Sequence, residues 1–152
     1  MSVLRHKKPG GFRRLVNSLE ITPFDRRAKI LDALRKEDEI FASDVEKHLF
    51  DFSEFKTLNN LIMTDVVFMM KKEMRTLAIA LFKCKDPALL DKFIKNMPHV
   101  LLSSYQEESE ALDRVTVSEQ NGARFRVIKK ARELQASKGL MVKKYSSKYQ
   151  DE

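Results

Sequence analysis

Turn-forming residues are scarce: the chain of 152 residues holds four glycines and four prolines. An average protein carries about 12% of the two together, so the many tight turns of a β-sandwich or barrel lack the residues to make them. The single cysteine, Cys84, excludes an internal disulfide framework and an all-cysteine zinc site. Long hydrophobic runs are missing too. The longest apolar stretches, 77–82 and 66–70, fall far short of the roughly 18–20 residues that cross a bilayer. No apolar segment follows the basic N-terminal residues, so they do not read as a secretory signal, and a cytoplasmic protein is expected.

Patterns that carry catalysis or hold metals are also absent. His6, His48 and His99 are scattered without ligand spacing to Cys84 or to acidic pairs. Gly10-Gly11 lacks the context of a phosphate loop, and no serine stands in a nucleophile elbow. Cys84, between Lys83 and Lys85 but with no base partner, reads as a small buried residue. No catalytic residue, metal ligand or cofactor is expected, and the chain reads as a non-enzyme.

What is present is charge and helical periodicity. The formal net charge is +7, and Arg5, Lys7, Lys8, Arg13 and Arg14 supply five positive charges before any acid appears. The body beyond this arm is close to neutral. Residues 1–9 read as a disordered basic arm suited to phosphate or an anionic membrane surface, or simply as a solvated terminus. A second basic group, Arg124, Arg126, Lys129, Lys130 and Arg132, reads as the solvated face of a helix, because no aromatic platform accompanies it. Met63, Met69, Met70 and Met74 read as core filling.

Apolar residues recur at helical spacing nearly throughout. Thr22-Pro23 reads as a cap and first helical residue ahead of Phe24, Ala28, Leu31 and Leu34. Phe41, Val45 and Leu49 repeat every fourth residue, and Phe50, Phe52 and Phe55 crowd a junction. Thr64 or Asp65 is expected to cap a segment running to Lys72, followed by the stripe Met74, Leu77, Ala78 and Leu81. Asp86-Pro87 opens a helix bearing Leu90, Phe93, Ile94 and Met97, and Pro98 ends it or starts the next. Thr116 and Glu119 form a capping box for a long helix with Val127, Ile128, Ala131 and Leu134 inward, stopped at Gly139. Residues 143–152 read as a frayed polar tail. The expected fold is all-α, a stack of short helices.

Several of these segments, in this order, resemble the flagellar motor switch family FliG. Gly10-Gly11 with Leu15-Val16-Asn17-Ser18-Leu19 is similar to the family's GG…ILNLL opening. The run Arg27–Asp38 resembles its E-K-x-I-L-x-x-L-x-x-E-D helix, and Asp91–Met97 its E-K-F-x-x-N-M segment. Leu49, Phe50, Asp51 and Phe52 stand where the family has a Met-Phe-Val-Phe hinge motif. Leu81-Phe82-Lys83, Ala131–Leu134 and Gly139–Val142 complete the likeness. On this basis 10–48 resembles the end of the middle domain and 49–142 the C-terminal domain, with 143–152 as a tail.

The resemblance implies a superhelical armadillo-like array in the switch ring, at the inner-membrane face of the flagellar basal body. It implies non-catalytic contact with the stator protein MotA, with the switch protein FliM, or with both, and self-association in a ring. Motility and rotation-direction control would be its output. Of the family's charged stator-facing set, Lys83 takes the first basic position, Glu107 and Glu108 the acidic pair, and Arg114 the last basic position. Val100 replaces a basic residue, and Leu112–Val115 replaces a Gly-Pro-Val-Arg turn. The family's N-terminal docking domain and its Glu-His-Pro-Gln motif have no counterpart in the sequence, which therefore reads as a divergent, shortened paralogue. Two other readings stay open. One is a polar or membrane-associated scaffold using the basic arm. The other is a nucleic-acid-binding helical domain using the arm and the face of 119–138, against which the near-neutral body argues.

Overall fold

The computed structural model describes residues 3–149, and among these every regular element is helical. The chain divides into two compact units: one runs to Phe50 and takes back the segment from Lys143 onward, and the other is Asp51–Val142.

Unit 1 contains α1 (Leu4–Lys7), α2 (Gly11–Glu20), α3 (Phe24–Glu37) and α4 (Glu39–Lys47). Phe12, Val16, Leu19, Leu34, Phe41 and Val45 are fully buried and form its core. A single residue joins α3 to α4. The carboxylate of Asp38 accepts from Phe41 N at 3.0 Å, occupying one of the donors that a helix start leaves open. The expected Thr22 cap lies one residue early. Pro23 holds the cap position of α3, while the Thr22 hydroxyl donates back to the Ser18 carbonyl at 2.6 Å.

The disordered arm expected over 1–9 is corrected over its described part. Val3 is buried, its amide donates to Glu37 Oε1 at 2.9 Å, and Lys7 pairs with Asp38 at 2.9 Å. Anchoring contacts of this kind oppose fraying. Met1 and Ser2 lie outside the described residues.

The frayed tail is corrected as well. The Tyr149 ring stacks on Phe12 at 5.1 Å and meets Phe41 edge-on, both in unit 1. Tyr145 donates to Asn17 Oδ1, Ser146 to Asp44 Oδ2, and Lys143 Nζ to the Leu49 carbonyl, all within 2.7 Å. The segment looks polar in sequence because its tyrosines bring polar tips on apolar bodies. Residues 150–152 lie outside the described part.

Unit 2 begins with a 3₁₀ turn, Phe52–Thr57, closed by a reciprocal capping box between Asp51 and Glu54. It continues through α5 (Asn60–Met69), α6 (Met74–Ala80), α7 (Pro87–Ile94), α8 (His99–Ala111) and α9 (Val117–Lys138). Asn59, rather than Thr64 or Asp65, caps α5 by accepting from Ile62 N at 2.9 Å. Thr64 sits inside the helix, its hydroxyl on the Asn60 carbonyl. Asp86 caps α7 with Pro87 at its first position, and the Thr116–Glu119 box opens α9. Gly139 ends α9 at φ +68°, the left-handed conformation that glycine accepts without a Cβ penalty.

Phe52, Phe55 and Phe93 form a ring cluster with centroids 5.2–5.5 Å apart, while Met63, Met70, Met74 and Leu77 fill the interior around α5 and α6. Met69 is only half-buried. Cys84, expected to be buried, is half-buried, and its thiol lies 3.5 Å from the Asp86 carbonyl.

Candidate functional site

The helix α6 packs against both α8 and α9, and this frame carries the charged residues singled out by resemblance. Side chains from α9 secure its C-terminal end. Gln120 Nε2 donates to the carbonyls of Phe82 at 2.8 Å and Ile79 at 3.2 Å, and Arg124 Nε donates to Ala80 O at 2.9 Å. Ile79 and Ala80 stand in the last turn of α6, where carbonyls lack donors four residues on within the helix, and Phe82 stands in the turn beyond; Ile79 O also accepts from Phe82 N at 3.2 Å.

Immediately after that end stands Lys83, the one non-glycine residue with positive φ among the described residues, at +49°. The left-handed conformation costs an L-residue about 1–2 kcal/mol. It also turns the chain sharply out of α6, leaving the Lys83 side chain exposed with its ammonium 5.3 Å from the Phe82 ring.

Glu107 and Glu108 lie in the last turns of α8, where Glu107 is exposed and Glu108 half-buried. Sequence reasoning missed Arg75, which projects from α6 and pairs with Glu108 at 3.8 Å. Its signal was present only in three dimensions, because the pair spans 33 residues. Arg114 is exposed in the connection from α8 to α9. Among the described residues, Lys83, Glu107 and Arg114 take no ion pair. The frame therefore presents charges of both signs to solvent, with a long, weak internal pairing at Glu108 alone. Such a surface favours reversible, electrostatically steered encounters.

The second basic group behaves differently. Arg126 grips Glu73 with two hydrogen bonds at 2.9 and 3.3 Å, and Lys130 joins the same carboxylate at 3.6 Å. Those bonds hold the Glu73 carboxyl below the usual carboxylate range, the Arg126 hydrogen bond contributing most. Arg124 also lies 4.8 Å from the Phe52 ring, and Arg132 is buried with its guanidinium on Gln135. The expectation of a solvated face is corrected here: most of these cations bind their own unit. That removes them from any phosphate-tracking surface.

The hinge-motif residues separate by unit. Leu49 and Phe50 are buried in unit 1, where Phe50 N donates to Glu20 Oε2 at 2.7 Å. Asp51 and Phe52 belong to unit 2. The segment matching E-K-F-x-x-N-M serves packing: Phe93 is in the ring cluster, Met97 is buried, and Asn96 Nδ2 donates to Lys92 O and Asn60 Oδ1. Among the described residues no group of three or more His, Cys, Asp or Glu side chains could hold a metal ion, and no helix is long and apolar enough to cross a membrane.

The model of the FliG C-terminal domain family matches residues 32–142. No curated protein matches the chain. Among solved structures, FliG residues 86–343 from H. pylori superposes with a TM-score of 0.65 at 21% identity, covering 88% of this chain and 61% of that one. A shorter H. pylori FliG fragment, residues 116–343, gives 0.56 at 23% identity, covering 87% and 56%. Full-length FliG from Aquifex aeolicus gives 0.54 at 23% identity, covering 84% of this chain and 39% of that one. The chain thus spans under two thirds of the length of these relatives, and at such identities the likeness speaks to fold. By the family match over most of its length, the chain belongs to the FliG C-terminal domain family.

Proposed function

We propose that this protein is a flagellar motor switch component that acts by protein–protein contact, through the charged face on α6, α8 and the connection beyond it. The observation that carries the reading is the set of exposed, internally unpaired charges, Lys83, Glu107 and Arg114, held on a frame where Arg124, Arg126, Lys130 and Arg132 are bound within the unit. Lys83 and Arg114 offer the basic positions, and Glu107 with Glu108 the acidic ones. Arg75 lies beside Glu108 in a long ion pair of 3.8 Å.

Stator protein MotA, switch protein FliM or both are the partners the family suggests. Contact at the cytoplasmic face of the basal body would receive force and perform no bond chemistry. The junction Phe50-Asp51 is where we place the hinge, because the residues on its two sides are held by different units. Self-association in a ring belongs to the same reading.

Reversing Glu107 and Glu108 to lysine tests it. Loss of swimming with an unchanged thermal melt is expected, because both side chains reach solvent and contribute little to folding. Normal motility in that variant would remove the assignment.

A further inference from the structure

Unit 1 carries a cleft of about 430 Å³ between α1, α2 and α3. Leu15, Leu19 and Ile30 form an apolar floor, and Arg5 and Arg14 stand at its edge. No carboxylate lines it. The one described partner of Arg5 is the His6 ring, at 3.3 Å, and among the described residues neither Arg14 nor Lys8 takes an ion pair. Lys7 is different, being neutralised by Asp38.

The backbone builds the cleft. Gly10 is left-handed at φ +79°, with the Arg14 guanidinium lying against it. Gly11 brings α2 so close to α1 that an added Cβ would stand 2.6 Å from the Arg5 carbonyl oxygen and 2.9 Å from His6 Cα. Burial, and then the Arg5 charge, hold the His6 imidazole below its ordinary value. A neutral ring can accept the Arg5 Nε–H through Nε2, which orients the guanidinium.

These features select an anion with an apolar extension. The volume suits a small group, not a folded partner. The floor is aliphatic and offers no aromatic face for a nucleobase. Beside the cationic edge, Leu4 on α1 is 71% exposed and Lys8 is exposed. An exposed leucine beside Arg5 and Lys8 allows apolar contact with a bilayer while the cations meet anionic headgroups.

We propose that this cleft binds the phosphate headgroup of an acidic phospholipid, with Arg5 and Arg14 on the phosphate and the start of the acyl chains over Leu15, Leu19 and Ile30. Guanidinium groups match phosphate oxygens in geometry as well as charge. The site goes beyond the switch reading and does not depend on it.

Cosedimentation of the full chain with vesicles tests the site, comparing phosphatidylcholine alone with phosphatidylcholine containing phosphatidylglycerol. Binding to the second only is expected. The double variant Arg5→Ala, Arg14→Ala should bind about 30-fold more weakly, at about one kcal/mol per basic residue near an anionic surface. Ser18→Phe fills the cleft from an exposed position without touching its charge, and should weaken binding at least about tenfold. Short-chain phosphatidylglycerol should displace the protein from vesicles where inorganic phosphate at equal concentration does not. Absence of binding by the unaltered chain, or full binding by Ser18→Phe, would overturn the proposal. Equal displacement by inorganic phosphate would overturn the lipid assignment in favour of a free phosphate. The Glu107→Lys, Glu108→Lys variant should bind vesicles normally, which separates this outcome from the fate of the switch reading.

Discussion

At the scale of single residues, backbone conformation and carboxylate pairing give the sharpest expectations. Gly11 and Lys83 are opposite cases. An alanine at Gly11 would drive its Cβ into the Arg5 and His6 backbone, which cannot swing aside. Gly11→Ala should therefore cost about 1–3 kcal/mol of stability by overpacking, read as a lower urea midpoint. Lys83 holds a left-handed conformation with an exposed side chain whose one described contact is its ammonium 5.3 Å from the Phe82 ring. Lys83→Gly should be neutral or stabilising by up to about 1 kcal/mol, because relief of the left-handed strain outweighs the added chain entropy. If the switch reading holds, that variant loses motility while its melt stays equal or rises. Few substitutions separate strength of fold from strength of contact so cleanly.

The carboxylates add a pH dependence. Asp38 lies below its ordinary value through the Lys7 hydrogen bond, Asp86 through Lys56, and Glu119 through the Thr116 backbone. Glu73 is depressed by Arg126. In the unfolded chain these groups return to roughly pH 4. A depressed folded value means the unfolded state takes up protons first, so the stabilisation is complete above the ordinary carboxylate range and fades as pH falls through the lower folded values. Melting temperature should ease downward once pH falls below the ordinary histidine value, where the unfolded chain charges His6 before the folded one does, and drop further below about 4 as these carboxylates protonate. A flat profile down to pH 3 would contradict the pairing.

At the scale of elements, what pins a helix end decides how far the sequence could be read. Caps with a local partner were legible. Asp86-Pro87 and the Thr116–Glu119 box bind donors three residues away, so spacing alone announces them. Asn59 was missed because Thr64 and Asp65 are equally plausible capping types, and only the geometry shows which oxygen faces an open amide. Non-local closures were not legible at all. The end of α6 is satisfied by Gln120 and Arg124 from about 40 residues further on, and nothing in the local pattern distinguishes such an arginine from one on a solvated face. The same blindness hid Arg75 beside Glu108. The apolar stripe of α9, by contrast, was legible residue by residue, because burial on a helix follows its period.

Gln120→Ala would leave the Phe82 and Ile79 carbonyls without their side-chain donor. It should cost about 1–2 kcal/mol and loosen the turn that displays Lys83, seen as faster amide exchange at 82–84. Unchanged exchange there would show that the left-handed turn is held without α9.

At the scale of the molecule, two cores share one chain, and each has its own aromatic cluster. In unit 1 the returning Tyr149 ring completes the Phe12 and Phe41 pair, although the sequence between is occupied by the whole of unit 2. Unit 2 is centred on Phe52, Phe55 and Phe93. Compact units with separate cores open with separate free energies. Phe93→Ala empties a fully buried site and should cost about 3–5 kcal/mol, concentrated as lost amide protection in 51–142. Tyr149→Ala removes a half-buried ring and two aromatic contacts, and should cost about 1–2 kcal/mol, with lost protection in α2 and α4 instead. Hydrogen exchange resolved by residue distinguishes the cases. Separate responses would mean that one unit can be strained without melting the other, which the proposed hinge at Phe50-Asp51 requires. Uniform loss of protection across both units in either variant would mean that the chain opens as a whole, and the hinge would have no independent bodies to join.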